Sequence, residues 1–300
     1  MRNNEERLGL GAGPNVSAEA PPAPELVSEQ GDPERAPKDQ NSQFSYVAPT
    51  EIVDLPSMGQ YYSEGHPLHN KETIEIRYMT AKDEDILTSE SLIKKGLVIE
   101  RLLQNILVDK AIDPLTLLSG DRNAILIAAR ITGFGPEYEV STACPSCNQE
   151  SKHTFDLYEC PVNTGEIYAE GPTDVQKTDN NTFLVYLPRS GVDVEIRLLN
   201  GYDEKEVDRI SKRMQKLKMG ASTLTNQFKQ LMVSVNGETD FEVIGDFIEN
   251  MPAMDSRYIR KIYEDINPDL VMELPFHCSK CGEQEDVEVP LTSEFFWPKL

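Results

Sequence analysis

Cys144-Pro-Ser-Cys147-Asn148 and Cys278-Ser-Lys-Cys281-Gly282 are the stretches around which the rest of the chain is read. Each is a C-x-x-C pair followed by Asn or Gly, the residues that most easily enter the left-handed backbone region. A turn of that kind curls the backbone until both sulfurs face one point. Two such knuckles together supply the four thiolates of a closed tetrahedral zinc site. A strand-like run precedes each pair, Tyr138 to Thr142 and Val271 to Phe276, and an alternating stretch follows, near Phe155 to Leu157 and Val287 to Leu291. Each knuckle is therefore expected at the tip of a β-hairpin. A redox C-x-x-C would need a helix to begin at the pair, and no helical pattern follows either one. A disulfide framework would need an oxidising compartment; no signal peptide is evident, and Cys160 would be left over. The expected metal ligands are Cys144, Cys147, Cys278 and Cys281, with Cys160, His153 and His277 as bystanders.

The two pairs are far apart in sequence, and an internal repeat accounts for the distance. Leu55-Pro-Ser-Met-Gly59 recurs as Leu187-Pro-Arg-Ser-Gly191, and Ile74-Glu-Ile-Arg77 as Val194-Glu-Ile-Arg197. Asp83-Glu84 recurs as Asp203-Glu204, and Asp121-Arg122 is echoed by Asp255-Ser-Arg257. The offset is 132 positions at the first match (55 to 187), 120 at the second (74 to 194) and 134 at the cysteines (144 to 278), so the copies differ by insertions. A unit this long is no solenoid repeat. The pattern implies an α+β protein made of two related units, each carrying one knuckle and facing the other across a single shared zinc, as identical subunits do in a dimer.

Residues 1–46 are rich in Pro, Glu, Ala, Asn, Gln and Gly, and are expected to be disordered because they hold too few large apolar groups to offset ordering entropy. The first unit is placed at 47–165, a polar linker at 166–181 and the second unit at 182–300. Within the first, Glu51 to Gly59 reads as a strand and turn, 60–71 as a polar surface loop with His66 and His69, and Thr73 to Tyr78 as a half-buried strand. Thr80 is a helix cap followed by acids at 83–85. Helical pattern resumes from Leu97 to Val108 after a break at Gly96. A buried helix is expected from Ser119 with Gly133 as its stop, Asp121 and Arg130 being cap and edge charges. In the second, Phe183 to Leu187 and Val192 to Leu198 form a hairpin. Helices follow at Asp203 to Leu217, Phe241 to Glu249 and Ser256 to Asp265, with a helical or mixed segment at 221–235.

Among 300 residues the formal net charge is −22, and the pI is near 4.6. Zinc ribbons often bind nucleic acid, but this charge opposes a phosphate-binding surface. No run approaches the ~20 apolar residues of a membrane span. There is no G-x-S-x-G, no phosphate-binding glycine loop and no H-E-x-x-H. A zinc held by four cysteines leaves no open position for water. No catalytic residue and no other cofactor are expected. Phe295-Phe296-Trp297 stand near the end of an otherwise polar chain and are expected to anchor a protein partner; a tail folded back onto its own core is the alternative.

The ordered series Asp54-Leu-Pro-Ser-x-Gly59, Ile74-Glu-Ile-Arg-Tyr-Met-Thr80, Asp83-Glu84, Gly120-Asp-Arg122 and Cys-Pro-x-Cys resembles the baseplate hub assembly proteins and hub subunits of T-even-type contractile-tailed bacteriophages. It covers about residues 50 to 160 well and the second half more loosely, through Cys278 to Trp297. The resemblance implies a non-enzymatic structural or assembly component that acts through contacts with other baseplate hub or tail tube proteins. It implies a place in the virion tail baseplate, and in the host cytoplasm during assembly. The competing reading from another class is a zinc-ribbon adaptor on nucleic acid or the transcription machinery.

Overall fold

The computed structural model describes residues 47–165, 175–217, 223–289 and 295–296. The tail at 1–46, most of the expected linker and Trp297 lie outside these residues.

The chain enters through β1 (Thr50–Asp54) and β2 (Thr73–Arg77), an antiparallel pair in which Val53, Ile74 and Ile76 point into the core. At its end Arg77 sends both guanidinium nitrogens onto Asp83, at 2.7 and 2.9 Å. Asp83 is the third residue of α1 (Ala81–Thr88) and also accepts from the N–H and Oγ of Thr80, the residue that caps the helix. The short α2 (Glu90–Lys95) stops at Gly96, which adopts φ 70°. Then α3 (Val98–Ile106) buries Val98, Leu102, Leu103 and Ile106, one face at helical spacing. The long α4 (Ser119–Phe134) follows and leads into β3 (Glu137–Ala143) and β4 (Glu150–Asp156), the first knuckle hairpin.

After the two-residue β5 (Val162–Asn163), a second series begins. β6 (Val175–Lys177), β7 (Thr182–Leu187), β8 (Val192–Arg197) and β9 (Met232–Val235) form a four-stranded antiparallel sheet in that order. Arg197 closes on Asp203, the third residue of α5 (Gly201–Lys216), at 2.6 and 2.8 Å, and Asn200 caps that helix. Then come α6 (Thr223–Leu231), α7 (Phe241–Asn250) and α8 (Ala253–Ile266). β10 (Asp269–Leu270) pairs with β5, and β11 (Glu273–His277) with β12 (Gln284–Glu288) makes the second knuckle hairpin. The Arg77–Asp83 and Arg197–Asp203 locks therefore fall at the same step of the two series.

Another matched feature lies at the start of α4 and α8. Asp121 and Asp255 are each the third residue of their helix, and each is fully buried. Asp121 accepts from the N–H of Ser57 at 3.0 Å and its Oγ at 2.6 Å. Asp255 accepts from the N–H groups of Arg189 and Ser190, at 3.0 and 2.8 Å. In both series a buried carboxylate ties the opening turn to the later helix.

Several expectations are corrected. Asp121 is an internal hydrogen-bond hub, and burial pushes its carboxyl above the ordinary value. Arg130 is 1 % exposed; it donates to the carbonyls of Gly135, Glu137 and Phe295. α4 runs through Gly133, where a side chain would collide with Met79, and stops at Gly135 instead. The 60–71 loop is no mere surface feature: Tyr62 and Leu68 are buried, and the Tyr62 hydroxyl donates to Asp121 at 2.7 Å while accepting from the N–H of Leu118. Residues 175–177, placed in the linker, form the edge strand of the sheet. Phe295 and Phe296, expected with Trp297 to anchor a partner, are buried in this chain. Phe295 packs edge-on against Tyr138 at 5.3 Å between centroids, so these two residues lie against the chain's own core.

Two measurements check this account. Replacing Phe295 with Ala should lower the unfolding free energy by about 3 kcal/mol or more in urea titration, as a buried aromatic does and an exposed anchor does not. Asp83 is the second. Burial pushes its carboxyl up, but hydrogen bonds from Arg77, Thr80 and Asn105 outweigh it and hold the group below its ordinary value of 3.8. Its stabilising contribution is therefore complete above pH ~4 and is lost as pH falls through the lower folded value. Asp83→Asn should cost about 2 kcal/mol at pH 7, with the gap to wild type closing on acidification below that.

Candidate metal centre

Each knuckle is built by the same few backbone bonds. Cys144 donates its N–H to the carbonyl of Gln149 and accepts from the N–H of Asn148; Cys278 donates to Glu283 and accepts from Gly282. Asn148 and Gly282 sit at φ 55° and 77°, the left-handed region that closes both turns. The rim of each hairpin is thus fixed by backbone alone, and the cysteine side chains are free to converge.

They converge from both halves. The four sulfurs lie within 4.8 Å of one another, with Cys144 to Cys281 at 3.6 Å and Cys147 to Cys278 at 3.8 Å. Tetrahedral coordination with metal–sulfur bonds of ~2.3 Å requires sulfur–sulfur edges of about 3.8 Å, so the cluster has the dimensions of a four-thiolate metal site. Cys144 and Cys278 are buried, Cys147 is half-buried and Cys281 is exposed. Phe276 packs beneath the cluster. The N–H groups of Cys281 and Lys280 point at the Cys278 sulfur and bring its thiol down to about 6. Such donors are what a thiolate ligand needs. Four sulfurs this close cannot all be negative without a cation among them.

The neighbouring candidates stand apart from the centre. The His153 ring packs on Phe276, 4.3 Å between centroids, with Nε2 on the Ser151 hydroxyl. His277 Nδ1 faces the Gln284 amide, and Cys160 contacts the sulfur of Met272. Burial pushes the Cys160 thiol up, away from the thiolate form that binds metal. Among the described residues this is the one group of Cys, His, Asp and Glu side chains with metal-site dimensions.

Both knuckles, both arginine–aspartate locks and both buried aspartates fall inside residues 50–297, the stretch that matches the model of the family described as T4 bacteriophage base plate protein. The chain belongs to that family. No curated protein and no solved structure matches it. Membership in the T4 base plate family gives the chain a structural or assembly role in the baseplate of a T4-type phage tail. It offers nothing to a transcription adaptor. No helix among the described residues is long and apolar enough to cross a membrane.

The centre's ligand set is open to a direct count. Metal analysis of protein purified without chelator should give one ion per chain for wild type and for Cys160→Ser, and much less for Cys281→Ser. Two ions per chain, or full loading of Cys281→Ser, would rule out a single four-cysteine centre.

Proposed function

We propose that this T4-type baseplate protein is a non-enzymatic component of the baseplate hub, held in shape by one structural zinc shared between two copies of a duplicated α+β unit. The copies span 47–165 and 182–300. What carries the reading is the convergence of two C-x-x-C hairpins, one from each half, on one point, within a chain whose family match runs through both halves. Zinc is the metal of choice because closed four-thiolate tetrahedra select it and because it brings no redox chemistry. All four positions go to protein sulfur, so the metal ties the hairpins together and activates nothing.

The duplication rests on the ordered recurrence of three devices: a turn bound to an aspartate early in a later helix, an arginine locked on an aspartate after the second strand, and the knuckle hairpin. The partners are other hub or tail tube proteins, and the strongly acidic chain is kept away from nucleic acid by its charge. It works in the tail, after assembly in the host cytoplasm.

Two experiments test the reading. A phage with a stop codon early in this gene should yield baseplates without a hub and no completed tails; normal tails from such a phage would refute a hub role. Because metal binding free energy becomes folding free energy when the site spans two units, Cys281→Ser should speed amide exchange in residues 47–165 as well as in 182–300. Faster exchange in the second half alone would show that the metal does not couple them.

A further inference from the structure

The two halves differ in what covers the helix that carries the buried aspartate. On α4, an extended strand from the other half lies across the first turns. A side chain at Gly120 would collide with the Pro268 carbonyl at 1.8 Å, and Asn123 donates its amide to the Asp269 carboxylate at 3.1 and 3.3 Å. The 60–71 loop covers the remaining flank, with Tyr62 on Asp121. Among the described residues, the equivalent face of α8 has neither cover. The second half runs directly from Gly191 into β8, without the loop. In place of Gly120 and Asn123 stand Met254 and Arg257.

That face is a groove of about 390 Å³ lined by Pro188, Arg189, Met254, Arg257, Tyr258 and Lys261 over the buried Asp255. Met254 is 73 % exposed. Arg189, Arg257 and Lys261 are exposed cations, and none of them takes part in an ion pair among the described residues. The groove's one acid, Asp255, is turned inward onto the backbone of Arg189 and Ser190. In a chain of net charge −22, three cations around an apolar floor are a local reversal of sign.

We propose that this groove on α8 receives an extended acidic segment of another baseplate protein, laid across the helix as Pro268–Asp269 is laid across α4. The partner's carboxylate takes the place of Asp269. Arg257, where the first half has Asn123, meets it with a charge-assisted and bidentate fork. The apolar side chain beside that carboxylate covers Met254, and Arg189 and Lys261 set the polarity of the rim. Nucleic acid would satisfy the cations but not the apolar floor, and the acidic remainder of the protein repels it.

The chain's own segment serves as the probe. A fluorescein-labelled peptide copy of residues 264–271, Glu-Asp-Ile-Asn-Pro-Asp-Leu-Val, should bind the full-length protein saturably in fluorescence anisotropy and weaken as salt is raised. Arg257→Glu with Lys261→Glu should weaken it about tenfold or more, since two attractive rim charges become repulsive. Both side chains are exposed, so the melting temperature should hold. Met254→Asp gives a second, independent loss through the floor. A peptide with Asn in place of both aspartates should bind less well than the parent. No saturable binding, binding indifferent to the charge reversal, equal competition by single-stranded DNA, or self-association of the protein that excludes the peptide would each overturn the proposal.

Discussion

A carboxylate placed three residues into a helix and tied to the N–H groups of a distant turn is the constraint from which each half of this protein is built. Asp121 and Asp255 are both fully buried. A buried carboxylate without donors would be very costly, so the turn at Ser57 or at Arg189–Ser190 has to come to it. That requirement brings the first hairpin of each half onto a helix more than sixty positions later in the chain. The helix start supplies part of the compensation through its own dipole. Once hairpin and helix are joined, the remaining helices have a surface to pack on, and the apolar faces merge into one continuous core that runs from Val53 to Phe296.

The halves are then joined at several places that differ in chemistry. Ser119 donates its N–H to the Leu199 carbonyl, and Arg122 pairs with Glu204 at 2.5 Å. Asn123 holds Asp269, and β5 pairs with β10. The four-cysteine cluster lies at the tips of two hairpins that are otherwise slender two-stranded ribbons. Such ribbons are marginal alone, so the joint at their tips matters more than its small size suggests.

Much of this was legible in the sequence because it depends on neighbours. Thr80 and the acids after it announce α1, Gly96 marks the end of α2, and the alternation from Phe183 to Leu198 gives β7 and β8. Asn148 and Gly282 stand where a knuckle needs a left-handed residue, and they adopt it. What escaped the reading is tertiary. Tyr62 sits in a polar loop, and nothing local says that its hydroxyl will meet Asp121, fifty-nine positions on. Arg130 looks like an edge charge because its partners are backbone carbonyls, which composition does not display. Phe295 looks like an anchor because Tyr138, the ring it packs on, is distant in sequence. The recurrence of motifs was visible, yet the 12-position change in offset between the first two matches read only as an insertion; in space those residues are the loop whose Tyr62 reaches Asp121 on α4, and among the described residues no such loop lies over α8.

The position of the second cysteine pair also sets a timetable. A ribosome adds about 5–20 residues each second, so Cys278 appears on the order of ten seconds after Cys144. During that interval the first knuckle holds two thiols and half a site. A centre that requires all four sulfurs can be filled only after Cys281 has been added, well after the first pair. Until then the first hairpin, a two-stranded ribbon, has no second pair of sulfurs to close on.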